Sequence, residues 1–384
     1  MIKKLLFGIS LISSFLITAQ SNILKETISS QKLGEKREIK IQLPKNYDQD
    51  TEKKYPIIIV LDADYLFDPV AGLINYYSYW EDIPEMIVVG INQNTTREAD
   101  SSYEETNYLP AKSGAAFFEF VGMELMEKIS EKYRISAFNV VIGHDLTANF
   151  MNYYLLKPDP IFDAYINLSP DYSPLMADRL VNSFKKEESK TWYYLATASE
   201  DIPFLQESIL KFNTSAEKID NKFLNYKFEN FDNATHYSLV GKAIPSAIDY
   251  IFKDFRPISE KEYEEVLLQT SVSLSEYLKN KYTSIETLFG VKKRIRINDF
   301  LAINKAIDKT KRWDDFKELS KMAEHEYPNT MLATYFEARY EEEAGSPEKA
   351  IKIYKKAYGQ DPIAFLTIDF MLEKANNIKK TYGY

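Results

Sequence analysis

The sequence predicts an α/β fold: a doubly wound, mostly parallel sheet followed by a small all-α domain of helical repeats. Three observations predict it. Short, unbroken apolar runs recur along the first two thirds of the chain, helix-period segments separate them, and beyond Pro257 the chain turns charged and helical in period. A run that is apolar at every position suits a strand buried on both faces, as parallel strands are under their crossover helices.

Residues 37–44 alternate charged and apolar side chains, the pattern of a half-exposed strand. The apolar runs then follow as Tyr55–Leu61 (YPIIIVL), Met86–Ile91 (MIVVGI), Asn139–Ile142 (NVVI), Tyr165–Leu168 (YINL) and Trp192–Ala196 (WYYLA), each read as a buried strand. Ala115 to Tyr133 sets Phe117, Phe118, Val121, Leu125 and Ile129 on one helical face, with Glu and Lys opposite. In the last third, Pro328 and Pro362 stand 34 residues apart, and Trp313/Pro347, Phe316/Ala350, Leu319/Ile353 and Ala323/Ala357 keep the same offset. That period with a closing Pro resembles tetratricopeptide repeats. About two copies are visible, fewer than the three that stand alone, so this part is expected to lean on the α/β domain or on a partner.

The first residues read as an address. Met1-Ile2-Lys3-Lys4 is a basic start, Leu5 to Ile17 is almost wholly apolar or small, and Ala19 offers a cleavage site. This is the pattern of a signal peptide over 1–19, too short for a membrane span. The expected layout is therefore 1–19 signal peptide, 20–257 α/β domain and 258–384 helical domain, in a mature chain without a transmembrane segment that works in the periplasm or outside the cell. There is no Cys, which closes the disulfide, lipoprotein and Cys-nucleophile routes. The net charge of -9, from 48 basic and 57 acidic side chains, argues against a nucleic-acid partner, because phosphate neutralisation needs clustered Lys and Arg. The three His residues lack metal-ligand spacing, and no P-loop or Rossmann glycine pattern occurs, so neither metal nor cofactor is expected.

The sharpest local signal is Gly143-His144-Asp145-Leu146-Thr147, between the run Val140-Val141-Ile142 and a helix-compatible stretch. Strand, sharp turn and helix form the context of a G-x-S-x-G nucleophile elbow, with Asp145 in the serine's place. Further ordered matches surround it: Tyr55 to Asp62 ending in Leu-Asp; Val89-Gly90-Ile91 followed by Asn94, Arg97 and Asp100; Ser113-Gly114 with Phe117, Phe120 and Glu124; Leu168-Ser169-Pro170; and His236-Tyr237-Ser238. On these residues, about 37 to 256 resemble the esterase-D/enterochelin-esterase group of α/β-hydrolases.

The resemblance implies an α/β-hydrolase fold, a small ester-type substrate and a catalytic order of nucleophile, acid, His. The implied site is Asp145 and His236, with Glu200 as first choice for the orienting acid, Asp201 as second and Asp232 as third. Oxyanion donors would be the backbone amides of Leu146 and of Ala63 or Asp64. Arg97 is expected to pair with Asp100 inside its loop, His144 to pack under the turn, His325 to lie on the surface, and Gln93–Lys112, with Tyr103 and Tyr108, to line or cover a cleft. The elbow departs from the family twice, at Asp145 and at Thr147 in place of the closing Gly. Three readings of Asp145 follow. It is a carboxylate nucleophile, as G-H-D is in haloalkane dehalogenases and epoxide hydrolases; a relic in an inactive binding protein, with a protein partner held through the repeats; or a base acting on a bound water with the help of His236. Attack by Asp on an ester carbonyl is unfavourable, because the resulting anhydride gains little over the ester.

Overall fold

The computed structural model describes residues 23–383. Residues 1–19, read above as a signal peptide, lie outside the described residues. Eight strands form one sheet: β1 (Ile23–Ser29), β2 (Lys36–Gln42), β3 (Tyr55–Val60), β4 (Ile87–Ile91), β5 (Ile135–His144), β6 (Ala164–Leu168), β7 (Thr191–Glu200) and β8 (Leu224–Thr235), in the order β1-β2-β4-β3-β5-β6-β7-β8. From β4 to β8 every neighbouring pair is parallel, while β1 and β2 form an antiparallel hairpin added to β4. The five apolar runs are the buried strands β3 to β7. β2 alternates exposed and buried residues along its first half, as its charge pattern requires, and β1 carries no apolar run to announce it.

Helices cover both faces. They are α1 (Phe67–Tyr79), α2 (Arg97–Asp100), α3 (Ser113–Glu119), α4 (Met126–Lys132), α5 (Leu146–Leu155), α6 (Met176–Phe184), α7 (Pro203–Ala216) and α8 (Leu239–Ile251). A π-helical turn at Phe120–Leu125 joins α3 to α4, so the predicted 115–133 helix is one continuous rod with Phe117, Phe120, Val121, Leu125 and Ile129 buried. The apolar residues of α3 to α7 pack on one face, and those of α1 and α8 on the other.

The remainder is helical: α9 (Glu260–Glu262), α10 (Leu274–Phe289), α11 (Ile297–Thr310), α12 (Asp315–Glu326), α13 (Met331–Glu343), α14 (Pro347–Tyr354) and α15 (Ile368–Tyr382). The positions that repeat at 34 residues are interior on both copies: Phe316, Leu319 and Ala323 on α12 are buried, as are Ala350 and Ile353 on α14 and Ala357 just beyond it. The helices are welded to the sheet. Phe289, fully buried at the end of α10, meets the rings of Phe138 (5.0 Å), Phe252 (5.3 Å) and Phe255 (5.9 Å), and its carbonyl accepts from Ser136 Oγ at 3.1 Å. Burying one such ring contributes about 1.5–3 kcal/mol, so the two parts share a single core instead of touching at a hinge.

Candidate active site

Every candidate side chain sits at the carboxyl-terminal edge of the parallel strands, where open α/β sheets gather their sites. β5 ends at His144, α5 begins at Leu146, and Asp145 between them holds φ 59° and ψ −118°. A non-glycine residue in that region is strained, and such strain persists where the surroundings over-determine it. Gly143 makes the turn feasible: a Cβ there would lie 2.7 Å from the backbone of Thr147 and Ala148, so only glycine lets α5 fold back over the strand. Thr147, in place of the family's second glycine, is fully buried and employed. Its Oγ1 accepts from the His144 amide at 3.0 Å and donates to Asp62 Oδ2 at 2.6 Å.

Asp62, just past β3 and itself at φ 51°, is the hub beneath the elbow. Arg97 grips it twice, Nε to Oδ1 at 2.7 Å and Nη2 to Oδ2 at 3.2 Å. The same guanidinium reaches up to the elbow, donating from Nη2 to the His144 carbonyl at 2.8 Å and from Nη1 to Asp145 Oδ2 at 3.2 Å. The expected Arg97–Asp100 pair is therefore corrected. Asp100 turns inward to a bidentate pair with Arg37 (2.5 and 3.1 Å), and Arg97, at the start of the one-turn α2, points across the loop to β3 and β5. Asp62 is buried and Arg97 half-buried, so removing Arg97 would strand a carboxylate with little access to water, and the pair is a structural pillar of this edge. The Asp145 carboxylate is its exposed arm, at 22 % side-chain exposure, and Oδ1 has no partner among the described residues.

On the far side, His236 follows β8 and is buried. Nδ1 faces only acceptors, Asp201 Oδ1 at 2.8 Å and Ser169 Oγ at 3.1 Å, so it carries the proton and Nε2 is the nitrogen left for chemistry. Asp201 also accepts from Ser169 Oγ and Thr197 Oγ1, both at 2.7 Å, and from the Ile202 amide at 2.8 Å. Burial alone would raise its pKa; the hydrogen bonds from His236, Ser169, Thr197 and Ile202 outweigh burial and hold the carboxyl down at about 2. Asp201, the second-choice acid, is thus the residue on His236. Glu200 is exposed and pairs with Thr235 in the β7–β8 ladder. A register shift after Ala198 and a turn from the Asp201 amide to the Ala198 carbonyl (3.2 Å) swing the next residue back into the site. Asp232 is exposed on β8.

His144 links the two halves. It is buried, its Nε2 donates to the His236 carbonyl at 3.2 Å, its ring lies 4.4 Å from that of His236, and its Nδ1 is 3.1 Å from the Tyr65 hydroxyl. Burial and the neighbouring His236 push its pKa down to about 4, which keeps it neutral at physiological pH. Asp145 and His236 occupy the same edge, yet no hydrogen bond joins them among the described residues. Of the proposed oxyanion donors, the Ala63 amide is already bound to the Ile91 carbonyl at 3.1 Å. That removes Ala63 and leaves the amides of Leu146 and Asp64, which find no acceptor among the described residues. His325 is exposed on α12, 74 % by its side chain.

A family model described as "Putative esterase" matches residues 30–238, more than half of the chain. The chain belongs to this esterase family. The family span takes in the whole site, from the Asp62 hub to His236. Among solved structures, an uncharacterised protein from Capnocytophaga ochracea DSM 7271 is 30% identical with a TM-score of 0.83, over 93% of this chain and 99% of that one. An IroE-like serine hydrolase from Shewanella oneidensis is 23% identical (TM-score 0.60; 79% and 99% covered), and the siderophore hydrolase EstB from Aspergillus nidulans 14% identical (TM-score 0.51; 61% and 96% covered). These two share the fold. A comparison with curated proteins returned no match.

Two residues of this esterase-family site gave little warning in the sequence. Ser169, fully buried at φ 44°, stands out in the sequence only within Leu168-Ser169-Pro170, and in the fold it touches both His236 and Asp201. Asp171, two residues on, donates its amide to the Asp145 carbonyl at 3.2 Å. Burial and the Asp145 charge raise its carboxyl pKa. Burial and then the Asp171 carboxylate raise the Tyr103 hydroxyl, and the bonds from Arg97 to Asp145 (3.2 Å) and from the Tyr153 hydroxyl to the Tyr108 carbonyl (2.8 Å) set the 93–112 segment beside the site.

Proposed function

We propose that this protein hydrolyses small ester-type substrates by activating water directly, without a covalent intermediate. The observation that carries the reading is the complete His236–Asp201 dyad, buried and four times hydrogen-bonded at Asp201, beside an elbow whose nucleophile is a carboxylate. An Asp attacking an ester carbonyl would exchange an ester for an anhydride, whereas an imidazole with a free Nε2 can take a proton from water. In this scheme Asp145, fixed by Arg97, accepts one proton of the water into a hydrogen bond. His236 removes the other as hydroxide adds to the carbonyl, the Leu146 and Asp64 amides face the developing oxyanion, and His236 returns its proton to the leaving alcohol. Asp201 carries the charge of the imidazolium in between. Single turnover in ¹⁸O-water tests it. The label is expected in the product acid and absent from Asp145; label in the Asp145 carboxylate would replace this scheme with covalent catalysis. Asp145→Ala is expected to lower kcat by about 10²-fold, and His236→Ala by about 10²–10⁴-fold, the usual range for a general base.

A second reading, a catalytically silent ligand- or protein-binding relative, draws on the Arg97–Asp145 pair and on the lack of contact between Asp145 and His236. In that reading the tetratricopeptide-like helices carry the partner surface. Ester analogues would then bind without turnover, and His236→Ala would change no rate. Export belongs to the proposal in either case: the protein recovered from the producing cells is expected to begin near Gln20, and an N-terminus retaining Leu5–Ile17 would exclude it.

A further inference from the structure

A cavity of about 430 Å³ opens at the edge of the sheet opposite Asp145, between the end of α1, the residues that lead into β3 and β4, and the 291–294 connection from α10 to α11. Its floor is apolar, made by Ile74, Ile83, Met86, Phe255 and Val291. Its walls carry five cationic side chains and two carboxylates, and the two carboxylates are spoken for. Glu85 pairs with Lys53, and Glu81 with Arg296 outside the cavity at 3.0 Å. Lys45, Lys292, Lys293 and Arg294 are left without an ion pair among the described residues. Arg294 donates to the Glu326 carbonyl and stacks 3.7 Å from the Tyr327 ring, and Lys45 lies 5.8 Å from the Tyr79 ring.

We propose that this cavity binds a small organic carboxylate, its head group among the unpaired cations and its apolar body on the floor. The volume falls in the range of small-molecule pockets, about 300–1,000 Å³, and an apolar lining with a few convergent charges is their usual make-up. Lys293 is the informative wall. Its ammonium donates to the Phe255 carbonyl at 2.5 Å and sits 3.6 Å over the Phe255 ring, with the Glu81 carbonyl at 3.5 Å, so dipoles and a π face solvate it where a carboxylate would neutralise it. Burial and Arg296 lower its pKa to about 7. Glu81 and Asp299 oppose that, and Lys281 adds to it. A bound carboxylate supplies the missing counter-charge and raises that pKa, so binding takes up a proton near neutrality. Above pH 7 the affinity then falls, by up to about tenfold per pH unit while Lys293 dominates. One half-buried ammonium over an apolar floor suits a monoanion with a tail better than a dianion.

Titration calorimetry of the full chain with octanoate, at pH 6.5 and 8.5 in buffers of different ionisation heat, tests this. The expected result is saturable 1:1 binding, proton uptake, and at least tenfold tighter affinity at pH 6.5. Lys293→Met is expected to remove the proton uptake and weaken binding at least tenfold while leaving ester turnover unchanged. Should that variant not fold, the exposed pair Lys45→Gln with Lys292→Gln is expected to weaken binding severalfold. No saturable octanoate binding overturns the proposal, and so does inorganic phosphate binding as tightly as octanoate, because the apolar floor would then contribute nothing.

Discussion

Asp201→Asn should lower ester turnover by about 10³–10⁴-fold with the fold intact, because an amide in that place reverses the tautomer that His236 needs. The carboxylate accepts Nδ1–H at 2.8 Å. An Asn that donates through its NH₂ would pull the lone pair of Nδ1 toward itself and move the ring proton to Nε2, the nitrogen required as base. Ser169 and Thr197 sharpen the effect, since both hydroxyls donate to Oδ2 and fix the orientation of the carboxyl group. Glu200→Gln, one residue away and exposed, is the control and should leave kcat within about twofold, the scale of a surface change. A loss at Glu200 equal to that at Asp201 would defeat the assignment of the acid. The same residue sets a pH dependence. Its folded pKa, about 2, is depressed below the ordinary 3.8, so its contribution to stability is present above the ordinary value and is lost as pH falls from about 4 through 2. Urea melts should therefore show the advantage of wild type over Asp201→Asn shrinking across that window.

The residues explain how far the sequence could be read. The buried parallel strands were legible because burial on both faces leaves only apolar side chains to choose from. β1 was not, since an edge strand with charged residues has no pattern of its own. The elbow and His236 were legible because a strand–turn–helix with glycine and a His after a strand are local signals. The acid was not: Glu200 and Asp201 are adjacent and chemically alike, and a register shift in the β7–β8 ladder decides between them. Arg97 misled for the same reason. A one-turn helix puts Asp100 only three residues on, while the fold places Asp62 and Asp145, 35 and 48 residues away, in its grip. The role of Ser169 was not legible, because it exists only where the loops after β6, β7 and β8 converge.

Asp145→Ser is the change with the largest expected gain. The backbone at 145 already holds the strained turn that a serine elbow uses, Gly143 already permits the close return of α5, and the dyad that would deprotonate a hydroxyl is assembled. The Arg97 guanidinium would lose one contact of four and keep both bonds to Asp62 and the bond to the His144 carbonyl, so the pillar beneath the turn should survive. A serine also removes a negative charge next to the position where the oxyanion forms. Nucleophilic catalysis with an acyl intermediate should then raise ester turnover by about 10²-fold or more over the parent and show a burst of leaving group equal to the enzyme concentration. The stability cost should stay below about 1 kcal/mol, since Asp145 is partly exposed and its pair with Arg97 is a long one. A folded Asp145→Ser protein with neither burst nor gain would mean that Nε2 of His236 stands out of reach of residue 145, and direct water activation would fall with it.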